Sequence, residues 1–291
     1  MSTDAGIAEF TSLGSVGRMP SWSMVQLTDF HLVEDGRLAM DVVDTGSFLQ
    51  RAVATICSLS PSPDLVVATG DLVDDGSRPG YERLSELLSP IHCPVVLLPG
   101  NHDDLDTMRQ AFASSGPGPI VPNGRSNTSG LADMVIDGAV TVVALDSSRS
   151  PDPGGRLNTA QLEWLDSVLA SRSDRPAVVA MHHPPFATGI GGMDVMALDS
   201  EDADRLAEVI ARHPNVERVC CGHVHRAVTR RWAGTVAAVS PGVAQSVAFD
   251  LQDGPLSWAL EPPAVTLLIW SADLGLVSHQ VPIGDFPPTP Y

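Results

Sequence analysis

The chain has 291 residues, 35 acidic and 17 basic, for a formal net charge of -18 at pH 7. Every basic residue is an arginine, and the absence of lysine excludes P-loop phosphate binding, kinase-type lysine chemistry and Schiff-base catalysis. With 43% apolar and 18% charged residues the composition is that of a globular core, and so few cations are a poor match to a nucleic-acid surface.

Residues 1–22 read as an N-terminal extension, without the basic segment and apolar run of a signal peptide. A short β-branched strand is predicted over 23–28, a helix over 45–59, a strand over 65–69, a helix over 81–88, a strand over 95–98 and a helix over 105–112. Residues 134–146 suggest a hairpin turning at Asp137-Gly138, and 148–156 form a Pro- and Gly-rich loop. Asn158 caps a helix carrying Leu162, Trp164, Leu165 and Leu169, a strand follows over 178–181, and Ser200 is the predicted cap of a further helix. Residues 219–221 make a strand and 226–239 a hairpin turning at Ala233-Gly234. Residues 243–263 hold Phe249, Leu251, Leu256, Trp258 and Leu260 without a period. They read either as a surface loop with its own cluster, or as a cap or oligomer contact, which would allow a homodimer. Residues 264–291 supply strands that complete a core begun in 23–242. Strand–helix alternation with hairpins predicts an α/β fold of two packed mixed sheets flanked by helices. Apolar runs such as 264–270 fall short of the roughly 20 residues of a membrane span, and adjacent Cys220 and Cys221 read as reduced core thiols, with no C-x-x-C involving Cys57 or Cys93. The expectation is a cytoplasmic protein with no membrane or nucleic-acid partner.

Chemistry concentrates where predicted strands end. Asp29-Phe30-His31, Gly70-Asp71 within GDLVDDG, Gly100-Asn101-His102-Asp103, His182-His183-Pro184-Pro185 and Gly222-His223-Val224-His225 hold six of the nine histidines. Loops after parallel strands can bring such patches together. Carboxylate, amide and imidazole donors without thiolate suit Fe, Mn, Zn or Co rather than Ca. In D-x-H and H-x-H an extended backbone would put both side chains on one face. A carboxylate from another strand can bridge two ions, which at roughly 3.5–4 Å apart activate a bridging hydroxide and clamp a phosphoryl group.

In this order the five fragments resemble the calcineurin-like metallophosphoesterase superfamily from about Met24 to His225, and are most similar to its bacterial class III cyclic-nucleotide phosphodiesterases and glycerophosphodiesterases. The resemblance implies a four-layer α/β/β/α fold and a dinuclear-metal hydrolase of small phosphodiesters, with a 3',5'-cyclic nucleotide of the cyclic AMP type as first substrate. Glycerophosphodiesters or other small diesters, a phosphomonoester, and a non-catalytic scaffold follow as alternatives. It implies that Asp29, His31 and His225 hold one ion, Asn101, His182 and His223 the other, and Asp71 both. His183 would stand behind the ligands or beside substrate. His102 would contact phosphate and protonate the leaving alkoxide, with Asp103 orienting it. His92 and His213 read as helix-end or surface residues. His279 would line the site or close the last strand, Arg226 would meet a phosphate oxygen or stay solvated, and Met193 and Met196 would wall an apolar base or pack their loop.

Overall fold

The structure, a computed structural model, describes residues 21–112, 133–149, 151–251 and 254–286. The expected extension therefore lies outside the described residues up to residue 20. It ends sooner than predicted, because Ser21 already donates to the Trp270 carbonyl at 3.0 Å and Trp22 pairs with Trp270.

A first sheet is built around β1 (Trp22–Leu27), β2 (Leu65–Thr69) and β3 (Val95–Leu98), all parallel. Crossover helices α1 (Thr45–Ser58) and α2 (Arg78–Leu88) join them, and α3 (Leu105–Phe112) follows β3. A second sheet holds β5 (Thr141–Ala144), β6 (Ala177–Ala180), β7 (Val216–Cys221) and β9 (Thr235–Val239) in parallel, with antiparallel β4 (Met134–Ile136) and β8 (Val228–Trp232) on its edges. Helix α4 (Thr159–Ala170) leads into β6, and the single turn α5 (Gly191–Asp194) and helix α6 (Ser200–Ala211) lead into β7. The two-residue strands β10 (Ser246–Val247) and β11 (Trp258–Ala259) pair with each other. The chain then returns to the first sheet, where β12 (Ala264–Ser271) runs antiparallel to β1 and β13 (Gly275–Pro282) to β12.

Successive strand residues point to opposite faces, so a continuous apolar run feeds two layers at once. In the first sheet Val25, Leu27, Val66, Ala68 and Leu97 meet Leu49, Val53 and Ile56 of α1, Leu84 and Leu88 of α2 and Met108 of α3. Their alternates Met24, Leu65, Val67, Val96 and Leu98 meet Val142, Ala144, Val178, Ala180 and Cys220 of the second sheet. The outer face of that sheet, with Val143, Val179 and Val219, packs on Leu162, Leu165 and Leu169 of α4 and Leu206, Val209 and Ile210 of α6. The layers run helix, sheet, sheet, helix, as expected.

Local signals hold with adjustments. Asn158 caps α4 through a reciprocal capping box with Gln161. Helix α6 is capped by Asp199 rather than Ser200, its carboxylate accepting from the Glu201 and Asp202 amides, where negative charge also suits the helix dipole. Ala233 and Gly234 both have positive φ, 49° and 86°, as a two-residue hairpin turn demands. The β4–β5 hairpin instead needs the longer connection 137–140. Cys220 and Cys221 are buried, whereas Cys57 is exposed and Cys93 half-buried, so core burial holds for the adjacent pair only. His92 is exposed, His213 closes α6 with Nε2 2.7 Å from Asp166, and exposed His279 sits in β13 opposite Leu267 as a strand residue.

Candidate metal centre

The C-terminal ends of the parallel strands in both sheets meet along one edge, and their loops are stitched together by backbone. The Asp29 and His31 amides donate to the Gly70 and Asp71 carbonyls, both at 3.0 Å, and the Gly222 amide to the His182 carbonyl at 2.9 Å. The seven residues expected as ligands all come together here.

They do so on a backbone unlike the extended one predicted for D-x-H and H-x-H. Asp29, His31, Asp71, His223 and His225 all have φ between 43° and 73°. That left-handed conformation costs a non-glycine residue of order 1–3 kcal/mol, and is held by the stitched loops around it. Close approach explains two glycines. A Cβ on Gly100 would overlap the Asp71 carboxylate, and one on Gly222 would overlap the Thr28 hydroxyl.

Asp29, His31, Asp71 and His225 place one donor atom each within 4.8 Å of one another. His31 Nε2 lies 3.2 Å from His225 Nε2 and 3.6 Å from Asp71 Oδ2, and His225 Nε2 lies 3.5 Å from Asp29 Oδ1. On the other side, His182 Nε2 is 3.3 Å from the same Asp71 Oδ2 and 3.2 Å from Asn101 Oδ1, and the His223 ring centroid is 5.2 Å from that of His182. Asp71 is therefore shared between two groups, as a bridging carboxylate would be.

The second ring nitrogens show which lone pairs face inward. Nδ1 of His31 is 3.0 Å from Asp74 Oδ1, that of His182 2.7 Å from the Thr69 carbonyl, and that of His225 3.1 Å from the Gln245 carbonyl. Each of these oxygens is an acceptor, so Nδ1 carries a hydrogen and Nε2 is the nitrogen turned toward the centre. His223 Nε2 is buried with no partner among the described residues. The Nε2 atoms of His31 and His225, 3.2 Å apart, converge with buried His223 Nε2 and the Asp29 and Asp71 carboxylates, a donor set that a cation would satisfy, so the residues fit the implied metals. Burial supports this by holding the His223 and His225 imidazoles down to about 3, hence neutral. Burial also lifts the Asp29 carboxyl to about 6. At His182 burial opposes the charge, but the Asp71 carboxylate outweighs it and raises the imidazole to about 9. A bound cation would draw protons off both Asp29 and His182.

His183 stands behind the centre. Its Nδ1 is 2.9 Å from the Ser147 hydroxyl and its Nε2 3.1 Å from the Pro153 carbonyl, so both nitrogens are already engaged. His102 sits at the mouth, its ring edge-on to His31 at 4.5 Å. Asp103 does not orient it, contrary to expectation. The Asp103 carboxylate turns inward, accepting from the amides of Leu72, Val73 and Gly100 and from the Tyr81 hydroxyl at 2.9 Å, and thereby shapes the loop that carries Asp71. The oxygen facing His102 is the Asp74 carbonyl, 2.9 Å from its Nδ1. Asp74 was missed although GDLVDDG displays it; its side chain holds His31 and its backbone holds His102. Arg226 is half-buried and tied to the chain itself. It donates to the Val247 carbonyl at 2.6 Å and to Glu261 at 2.8 Å.

Above the donors lies a cavity of about 260 Å³. His31, Asp71, Asp74, Asn101, His102, His223 and His225 form its polar floor, while Ala39, Met40, Pro153, Met193, Met196, Leu256 and Trp258 form an apolar wall. Met193 and Met196 therefore face the cavity as well as their loop. No arginine lines it among the described residues.

Residues 24–227 match the model of the calcineurin-like phosphoesterases. The chain belongs to the calcineurin-like phosphoesterase family. It is 32% identical over 264 residues to a probable glycerophosphodiester phosphodiesterase of Arcobacter nitrofigilis, covering 90% of this chain and 94% of the relative. It is 37% identical over 261 residues to a probable cyclic nucleotide phosphodiesterase of Rhodopseudomonas palustris, covering 88% and 90%. A dimetal phosphatase from Danio rerio shares the fold, with a TM-score of 0.64 at 15% identity over 91% of this chain and 100% of that one. The calcineurin-like fold uses a dinuclear metal centre, and this chain brings together the residues to hold one.

Proposed function

We propose that this calcineurin-like phosphoesterase is a metal-dependent phosphodiesterase that opens the ring of a 3',5'-cyclic nucleotide of the cyclic AMP type. The observation that carries the reading is the inward set of imidazole Nε2 atoms flanking one shared carboxylate, under a cavity with an apolar wall. Asp29, His31 and His225 would hold one ion, Asn101, His182 and His223 the other, and Asp71 would be shared between them. When bound, the two ions supply Lewis-acid charge for the phosphoryl oxygens and a water acidified toward neutral pH. Fe, Mn, Zn and Co all suit this donor set.

The chain's own residues do the rest. Asp74 fixes the hydrogen on His31 Nδ1, so that Nε2 faces the centre, and its carbonyl holds the hydrogen on His102 Nδ1. That leaves His102 Nε2 to carry the second proton and deliver it to the alkoxide that leaves phosphorus. Among the described residues the cavity lining is apolar or bears carboxylate, amide or imidazole groups, without the guanidinium fork that usually meets the extra charge of a phosphomonoester. A glycerophosphodiester is the second reading, favoured by the name of the Arcobacter relative and disfavoured by the apolar wall. The proposal includes a cytoplasmic location and leaves room for a dimer; no helix of the described residues is long and apolar enough to cross a membrane.

The test is a substrate panel with metal-loaded protein: cyclic AMP, a glycerophosphodiester, bis(p-nitrophenyl) phosphate and p-nitrophenyl phosphate. The reading expects the highest kcat/KM on cyclic AMP and diester turnover above monoester turnover. A glycerophosphodiester far ahead moves the assignment to the second reading, and monoester preference removes both.

A further inference from the structure

The wall of the cavity is not part of the metal-holding loops. Part of it comes from the β10–β11 hairpin, which brings Leu256 and Trp258 to the cavity, and Trp258 lies against a metal-centre imidazole. Its ring centroid lies 5.1 Å from that of His225, tilted by 48°, 43% of the residue remains exposed, and it lines the cavity. An indole so placed covers one ligand with part of its face and leaves the rest open. Leu256, Met193 and Met196 surround it with apolar surface that a planar group can displace from water.

Nothing in so short a hairpin would hold an indole in register, since two residue pairs make a marginal ladder. Arg226 supplies the hold. It follows His225 directly, donates to the Val247 carbonyl of β10 and to Glu261 just past β11, and places its guanidinium 5.3 Å over the Phe249 ring. One side chain on the ligand loop thus ties both arms of the hairpin to the metal centre. Gln245, at the foot of the hairpin, holds His225 through its carbonyl, lines the same cavity, and has a buried side-chain oxygen without a partner among the described residues. That oxygen is free to accept from an N–H of a bound group.

We propose that Trp258 is the specificity-determining face of this site, stacking on the planar base of a nucleoside diester, and that Arg226 is the positioning residue that holds it over the metal centre. The inference rests on the phosphodiesterase reading for its substrate class, but its test does not depend on turnover. The product-like pair AMP and ribose 5-phosphate differs only by the base, and its two dissociation constants can be measured calorimetrically on metal-loaded protein. A stacked base is worth about 1–3 kcal/mol, or about 5- to 150-fold in affinity. Wild type should therefore prefer AMP by about ten-fold or more. Trp258→Ala should bring that ratio close to one, and Trp258→Phe should keep most of it. Arg226→Ala should lower the ratio with Trp258 still present, and Arg226→Lys should restore part of it, with bound metal measured for each variant. A wild-type ratio near one, or a ratio unmoved by Trp258→Ala, overturns the role of Trp258. A ratio unmoved by Arg226→Ala overturns that of Arg226. Absence of diester turnover alongside a strong base preference would instead strike the catalytic reading and leave this one standing.

Discussion

Of all the polar side chains at the centre, His102 is the one whose work differs from its neighbours'. It lies at the mouth, is partly exposed, and is held at Nδ1 by a carbonyl rather than by anything charged at bonding distance. A general acid contributes roughly 10²–10⁴-fold when the leaving group is a poor one. His102→Ala should thus keep its bound metal and lose about that much kcat on cyclic AMP, with a much smaller loss on bis(p-nitrophenyl) phosphate, whose nitrophenolate leaves without help. Equal losses on both substrates would remove the acid role. Asp74 acts through His31, and polar partners of this kind typically change metal affinity about 10–100-fold. Asp74→Ala should weaken metal binding by that factor, measured by competition with a chelator.

At the scale of elements, the loop after β2 is shaped from beneath by Asp103. Burial and the nearby Asp71 hold its carboxyl up, at about 6, even though three amides and the Tyr81 hydroxyl favour the ionised form. Removing such a buried acceptor leaves several donors unsatisfied, each costing about 1–3 kcal/mol. Asp103→Ala should lower the melting temperature and the metal content together, whereas His102→Ala should change neither. A stable, metal-replete Asp103→Ala protein with reduced kcat would restore the orienting role that the geometry denies. Gly100→Ala should also abolish metal loading, because its Cβ would occupy the space of the Asp71 carboxylate.

These elements show what could be read in the chain and what could not. The strands were legible because short β-branched runs bounded by Gly, Pro and Asp have few other uses in a core, and the donor residues because aspartate, asparagine and histidine recur at five strand ends. Their left-handed backbone was not, since nothing in the residue type of Asp29 or His223 distinguishes it from an extended one. Nor were the partners of Asp103, His102 and Arg226, five of which are main-chain groups with no side-chain signature. The hairpin over 243–263 lacks a period because each arm pairs for two residues only, and it is held by an arginine that precedes it by some twenty positions.

For the whole molecule the decisive fact is a charge of -18 and a cavity without a cationic side chain among its described lining. Two carboxylates, one amide and four imidazoles offer a phosphodiester no permanently charged cationic side chain. Two divalent ions would leave that set net positive, in a protein whose remaining surface repels polyanions. Activity should therefore track metal occupancy and show little inhibition by DNA. The most direct test is to strip the protein with chelator and titrate metal back while following bound ions and cyclic AMP hydrolysis together. The account predicts no turnover in the stripped protein, two ions per chain at saturation, and turnover that appears with the second ion. Full activity with one ion, or any turnover surviving complete removal, would contradict it.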